Sequence, residues 1–264
     1  MLYKNINGVP DFECTEFAPK SKKYCLCIPI INEKEHIRME LVRAKLKRVP
    51  QMCDIIICDG GSDDGGTDPD LLATLGVNTL LVKKGAGKQG AQLRMGFYWA
   101  LERGYEGIIT IDGNNKDSIE DVSKFTAKLD AGYDFVQGSR FIKGGQAINT
   151  PISRHLAVKF IHAPVISLTA HERFTDTTNN FRAYSKKYLT HPLVQPFRDI
   201  FMTYELLAYL STRASQLKLK TCEVPVTRAY PNEGKIPTKI SPLKGNAELM
   251  KILMANAMGK YNPK

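Results

Sequence analysis

Short apolar runs at residues 24–29, 54–58, 78–82, 107–111 and 135–138 alternate with stretches of helical spacing, such as Ala91, Met95, Tyr98, Trp99 and Glu102. A run like Gly107-Ile108-Ile109-Thr110-Ile111, bounded by glycine and β-branched, reads as a strand buried on both faces. The alternation predicts an α/β fold in which a mostly parallel sheet is sandwiched by helices. Right-handed crossovers then bring the loops after Pro29, Cys58 and Ile111 to one edge, where open α/β sheets bind ligands. The third of these loops begins Asp112-Gly113-Asn114, a carboxylate at a strand end followed by polar residues that can hold a diphosphate or a metal. Asp and Asn also suit capped turns, so the tripeptide needs support from its neighbours.

At 264 residues the chain can bury a substantial core, and one domain with a C-terminal extension is expected. Residues 1–22 lack periodicity and read as an irregular arm. Residues 23–240 form the domain, divided into halves 23–141 and 142–240, and residues 241–264 form a helical tail. After residue 140, Gly144-Gly145 opens a connection to an amphipathic or broken helix over 153–170, interrupted by Pro164. A helix near 203–212, a strand near 218–226 and a Leu- and Met-rich helix over 246–258 follow.

The formal net charge of +10 favours anionic partners. The basic residues are dispersed and no nucleic-acid-binding motif is present, so phosphate chemistry fits better than nucleic acid. Four of the six cysteines, Cys25, Cys27, Cys58 and Cys222, fall in strand-like runs, where a reduced thiol acts as a small hydrophobe. They point to a cytoplasmic chain. No signal-peptide core and no run of 18 apolar residues is present, so no membrane span is expected. No G-x-G-x-x-G opens a helix after the first strand, which argues against a nicotinamide cofactor.

Six motifs occur in a telling order: PIINE at 29–33, CDGGSDDGGTD at 58–68, KQGAQLRMGFYWA at 88–100, IDGNNKD at 111–117, YDFVQGSRF at 133–141 and TDTTNNFRAYS at 175–185. Together they resemble the inverting family 2 glycosyltransferases of GT-A fold, in the dolichol-phosphate mannose synthase-like branch, over about residues 24–239. The resemblance implies a GT-A type, Rossmann-like sheet, with a helical C-terminal extension. It implies a nucleoside diphosphate sugar donor, an Mn²⁺ or Mg²⁺ cofactor, and a lipid-phosphate or glycan acceptor. It assigns Pro29, Asn32, Glu33 and Asp59 to the nucleoside, and Lys88 and Arg94 to the base or diphosphate. Asp112, Gly113 and Asn114 fall at the metal-diphosphate loop, with Asp112 and Asn114 as metal ligands, and Arg140 and Arg182 face phosphate groups. Departing diphosphate needs such positive charge, whether from a metal or from side chains. Arg228, Lys235 and Lys239 lie in a loop that can close over the diphosphate or a phosphorylated acceptor.

Two positions depart from the family. Asn114 stands where a second carboxylate is usual and Lys116 where a Gln is usual, which weakens a cation site and strengthens a phosphate site. Gly60 stands where a second Asp often follows Asp59, so the base is not carried over. Asp176 is the candidate catalytic base for a hydroxyl acceptor, and a loop-orienting residue if the acceptor is a phosphate, which needs no base. Catalysis is thus expected from Asp112 and Lys116, with Asp176 conditional on the acceptor. The segment 153–170 and the positive charge suit peripheral contact with an anionic membrane at its inner face. A nucleotide-sugar binder without turnover and a nucleotidyltransferase are the alternatives.

Overall fold

Successive residues of the first long strand serve opposite cores. Cys25 and Cys27 join one apolar cluster, and Leu26, Ile28 and Ile30 join the other. This two-sided burial follows from the period of two in a strand. The computed structural model describes residues 1–231 and 244–263. Its strands are β1 (Leu2–Tyr3), β2 (Phe12–Glu16), β3 (Tyr24–Ile30), β4 (Asp54–Asp59), β5 (Val77–Lys83), β6 (Gly107–Thr110), β7 (Phe135–Ser139), β8 (Gln146–Ile148), β9 (Arg182–Ser185), β10 (Thr221–Pro225) and β11 (Thr227–Ala229). Its helices are α1 (Lys34–Leu46), α2 (Pro69–Thr74), α3 (Gln89–Glu102), α4 (Val122–Asp130), α5 (Ile152–Ala157), α6 (Ala163–Ala170), α7 (Lys186–Leu189), α8 (Glu205–Gln216) and α9 (Lys244–Ala257).

Among the described residues the main sheet runs β1-β2-β5-β4-β3-β6-β9-β7-β10. Strands β5, β4, β3 and β6 are parallel neighbours, as are β7 and β10, while β9 is antiparallel to both β6 and β7. Helix α3 packs on the Cys25 face together with α6, α8 and α9, and α1, α2 and α4 cover the other. Gly96 of α3 allows this approach: a Cβ there would lie 2.6 Å from Cys58 Sγ and 3.3 Å from Cys27 Sγ. All six cysteines are free thiols.

The N-terminal arm is not irregular, which corrects the sequence reading. Strand β2 pairs antiparallel with β5, and β1 pairs with β2. Phe12 and Cys14 point inward from β2, but five residues carry too few alternations to stand out from the flanking polar residues. The segment over 153–170 is a broken helix, as expected. A π turn at Val158–His162 joins α5 to α6 beside Pro164, whose missing N–H and bulky ring disturb the regular ladder. Strands β8 and β11 form a separate parallel pair. The latter runs beside the loop after β6, with Ser118 donating its backbone N–H to Thr227 O and Ala229 donating to Lys116 O. Arg228 reaches the carboxyl edge of the parallel strands by this route. The tail helix α9 packs against the domain, with Asn256 donating to Ala208 O and to Thr212 Oγ1.

Candidate active site

Three parallel strands end at one edge, and their following loops tie to one another. After β4, Asp59 is 1% exposed and caps its own turn, accepting from the backbone N–H groups of Gly61 and Ser62 at 2.9 Å and from the Ser62 hydroxyl. Its carboxylate is therefore engaged in shaping the loop that the resemblance brings to the nucleoside. Asn32, held at φ 49°, accepts from Asp63 N–H through Oδ1 at 3.0 Å, and its own N–H donates to Ser62 Oγ at 2.9 Å. Asp64 accepts from Lys34 N–H at the start of α1. Pro29 is buried inside β3, opposite Cys58, and Glu33 pairs with His36 at 3.0 Å. Lys88 is exposed at the N-terminus of α3. Gln92, one turn further on, donates to Ile30 O and Cys58 O and binds that helix to the strand ends.

Asp112 is the meeting point of the edge. Its Oδ1 accepts from Gln89 Nε2 at 3.0 Å and Asn180 Nδ2 at 3.1 Å, and its Oδ2 accepts from Arg228 Nη2 at 3.3 Å. The side chain keeps 23% exposure, so a ligand can reach it. Gly113 is demanded by close approach, because a Cβ there would lie 2.4 Å from Ile30 Cγ2. Arg228 is buried and also pairs with the fully buried Asp117, which takes a second bond from Asn179 Nδ2. Burial works against the Arg228 charge, but Asp117 and Asp112 outweigh it and raise its pKa. Burial pushes the Asp117 carboxyl up, against the pull of Arg228.

Lys116 is 6% exposed, with its ammonium 5.3 Å from the centroid of the Tyr230 ring. Arg154 and Arg228 stand over the same ring at 5.6 and 5.8 Å, and Arg154 donates to the Tyr230 hydroxyl at 2.7 Å. Burial first, and then repulsion by Arg228, pulls the Lys116 pKa down. Burial opposes ionisation of Tyr230, yet Arg228 and Arg154 outweigh it and lower its pKa. Three cations around one ring, beside a single partly open carboxylate, form a site whose electrostatics favour an added anion.

Several expected ligand contacts are instead supports. Asp176 is fully buried and locked to Arg140, with Oδ2 accepting from Nε at 2.6 Å and Oδ1 from Nη2 at 2.9 Å. It is therefore not an open base, and Arg140 does not present its guanidinium to a phosphate. Arg182 is likewise spent on backbone carbonyls, those of Asn179, Leu207 and Thr177. Together these residues fix the loop that delivers Asn179 to Asp117 and Asn180 to Asp112. Arg94 is 1% exposed and donates to Gly8 O and Asp199, tying the N-terminal arm to the segment before α8 rather than meeting a diphosphate. Lys235 and Lys239 lie outside the described residues.

The two residues expected to hold a metal carry oxygen donors of a suitable kind. Asn114 Oδ1 is buried without a hydrogen-bond partner among the described residues, and Asp112 is the adjacent accessible carboxylate. Two such oxygens suit a hard divalent cation that completes its shell with substrate phosphates and water. No group of three or more His, Cys, Asp and Glu side chains able to enclose a cation occurs among the described residues, so such a cation would lean on the donor's own oxygens.

Glu40 of α1 lies outside the six motifs. It is fully buried, and Oε2 accepts from Asn115 N–H at 2.9 Å. Burial pushes its pKa from 4.5 up to about 8, with Asp117 and Asp112 adding to the rise and the Asn115 N–H and Arg43 opposing it. Because the folded value is raised, this contribution to stability is full below pH 4.5 and is lost as pH rises towards about 8. Glu40→Gln should therefore gain on the wild type by a few kcal/mol between these limits and match it at pH 4. Urea unfolding of both proteins across this range checks it, and a pH-independent difference contradicts it.

No protein-family model matches the chain. It is 28% identical over 177 residues to a polyprenol monophosphomannose synthase of Mycolicibacterium smegmatis, a match covering 64% of each chain. The chain thus spans less than two thirds of that relative. It is also 28% identical over 205 residues to an undecaprenyl-phosphate mannosyltransferase of Micrococcus luteus, covering 76% of this chain and 81% of the relative. Among solved structures it resembles glucosyl-3-phosphoglycerate synthase from Mycobacterium tuberculosis in complex with Mn²⁺, UDP and glucosyl-3-phosphoglycerate, with a TM-score of 0.63, 15% identity and coverage of 90% of this chain and 79% of that one. Mannosyl-3-phosphoglycerate synthase from Rubrobacter xylanophilus gives a TM-score of 0.62 at 14% identity, covering 90% and 73%. These likenesses agree with the GT-A fold expected from the motif order. The two curated relatives carry the names of mannosyltransferases of the branch that the motifs resemble.

Proposed function

We propose that the chain is an inverting glycosyltransferase that moves a sugar from a nucleoside diphosphate sugar to a phosphate acceptor, a polyprenyl-phosphate type of lipid before a soluble one. The observation that carries this reading is the cluster of Lys116, Arg154 and Arg228 around Tyr230, beside Asp112 at the carboxyl edge of the sheet. In the reaction an acceptor phosphate oxygen attacks the anomeric carbon from the face opposite the diphosphate. A carbon–oxygen bond forms as the bond to the diphosphate breaks, and the configuration inverts. A phosphate nucleophile is already ionised. That suits a site whose expected base, Asp176, is locked in a buried ion pair. Lys116 and Arg228 meet the charge growing on the leaving group, where preorganised cations act most strongly. Asp112 and Asn114 are the residues that would hold Mn²⁺ or Mg²⁺, which when bound supplies further charge neutralisation to the diphosphate.

Two surface features favour a lipid. Ile152, Leu156, Phe160 and Leu168 are 78%, 46%, 64% and 77% exposed, and with Pro164 they recur every four residues along α5, the π turn and α6. Such a stripe on a basic protein suits the headgroup boundary of an anionic membrane. Sharing Pro164 with it is a groove of about 590 Å³ whose lining includes the aromatic Phe141 and Phe174 and the basic Lys159 and Arg173. It adjoins the Arg140–Asp176 pair and could receive a phosphorylated, partly apolar acceptor. No helix among the described residues is long and apolar enough to cross a membrane.

Melting of the protein with UDP-, GDP-, dTDP- and CDP-sugars, with and without Mn²⁺, tests the donor class, since a ligand of the native state raises the melting point. One or more of these sugars should stabilise the protein, and indifference to all of them contradicts the reading. Lys116→Gln should lower turnover about tenfold or more and steepen its dependence on Mn²⁺. Normal turnover with an unchanged metal titration would remove Lys116 from the leaving-group site.

A further inference from the structure

The buried stripe of α1 is Ile37, Glu40, Leu41 and Ala44, a helical spacing in which Glu40 alone is polar. A fully buried carboxyl group in such a stripe is costly unless the fold uses it. One of its oxygens accepts from the backbone N–H of Asn115 at 2.9 Å, and the other has no hydrogen-bond partner among the described residues. Arg43, one turn further along the same helix, donates Nη2 to the backbone carbonyl of Asp117. The helix therefore grips the N–H of residue 115 and the carbonyl of residue 117, while Ala229 N–H takes the carbonyl of Lys116 at 2.8 Å. Asn115 stands between these grips at φ 55°, a left-handed conformation that asparagine tolerates and that must be held in place. Lys116, the residue so gripped, carries its ammonium to Tyr230, and Asp117 carries its carboxylate to Arg228.

We propose that Glu40 and Arg43 are positioning residues of the transfer reaction, a backbone clamp from α1 that holds residues 115–117 in the conformation in which Lys116 faces the diphosphate. The proposal rests on the glycosyltransferase reading. Neither side chain touches the substrate. Glu40 holds the residue directly before Lys116, so most of its effect on diphosphate binding should disappear when Lys116 can no longer contribute, whereas Arg43 also steadies Asp117 against Arg228.

The test combines Glu40→Leu, Glu40→Gln, Lys116→Gln and the double variant Glu40→Leu/Lys116→Gln. Amide exchange at Asn115 and calorimetric affinities for UDP, GDP, dTDP and CDP with Mn²⁺ are the readouts. Glu40→Leu should speed exchange at Asn115 and weaken the preferred nucleoside diphosphate by about tenfold or more. Glu40→Gln retains an accepting oxygen and should stay within about threefold of the wild type. Against Lys116→Gln, the Leu substitution should add less than about threefold, because residues acting through one another are not additive. Arg43→Met releases the other grip and should reproduce the loss if Glu40→Leu fails to fold. Unchanged affinity in the folded Leu or Met variant overturns the clamp, as does a full tenfold loss repeated in the Lys116→Gln background. A wild-type protein that binds none of the four diphosphates overturns the functional reading as well, whereas normal wild-type binding with an indifferent Glu40→Leu overturns this proposal alone.

Discussion

Asp112→Ala should lower sugar transfer by about a thousandfold or more and leave the fold intact. The size follows from the role: a group that organises charge at the departing diphosphate contributes several kcal/mol to the transition state alone. Survival of the fold follows from its neighbours. Arg228 keeps its ion pair with Asp117, and Gln89 and Asn180 lose one acceptor each at a position that water can reach. Circular dichroism and the urea midpoint should therefore change little while transfer disappears. Turnover near that of the wild type would remove this loop from the chemistry.

Asp176→Asn should do the opposite, costing about 3–5 kcal/mol of stability because it strands the buried Arg140 guanidinium. Turnover per folded molecule with a phosphate acceptor should remain within a fewfold of the wild type. A general base would behave differently, losing roughly a hundredfold or more in turnover at unchanged stability. Urea unfolding and transfer assays on one preparation separate the two. A stable, inactive Asp176→Asn would restore the base role and with it a hydroxyl acceptor.

The strand ends were legible because fully buried parallel strands are short, continuous apolar runs, and β3, β4, β5, β6 and β7 fall within a residue or two of the runs that mark them. The broken helix at Pro164 was legible from the proline itself. Strands β2 and β9 were not, since each owes its pairing to neighbours distant in sequence, β5 for the first and β6 and β7 for the second. Asp112 was legible as the first polar residue after a buried strand. The roles of Arg94, Arg140 and Arg182 were not, because a motif fixes where an arginine lies in the chain and not whether its donors are already taken by Asp199, Asp176 or backbone carbonyls. Glu40 did leave a signal, a carboxylate among the apolar positions of α1, but its partner Asn115 lies 75 residues away. Asn179, Asn180 and Asp117 sat inside quoted motifs and gained roles only when the loops met.

The most direct measurement incubates the protein with a labelled nucleoside diphosphate sugar that stabilises it and a polyprenyl phosphate in anionic vesicles containing Mn²⁺, and then determines the amount and anomeric configuration of the labelled lipid. The account predicts a polyprenyl-phosphate sugar of configuration opposite to the donor, formed catalytically and abolished by Asp112→Ala. Tight binding of the sugar nucleotide with no transfer to lipid or soluble phosphate acceptors would contradict it.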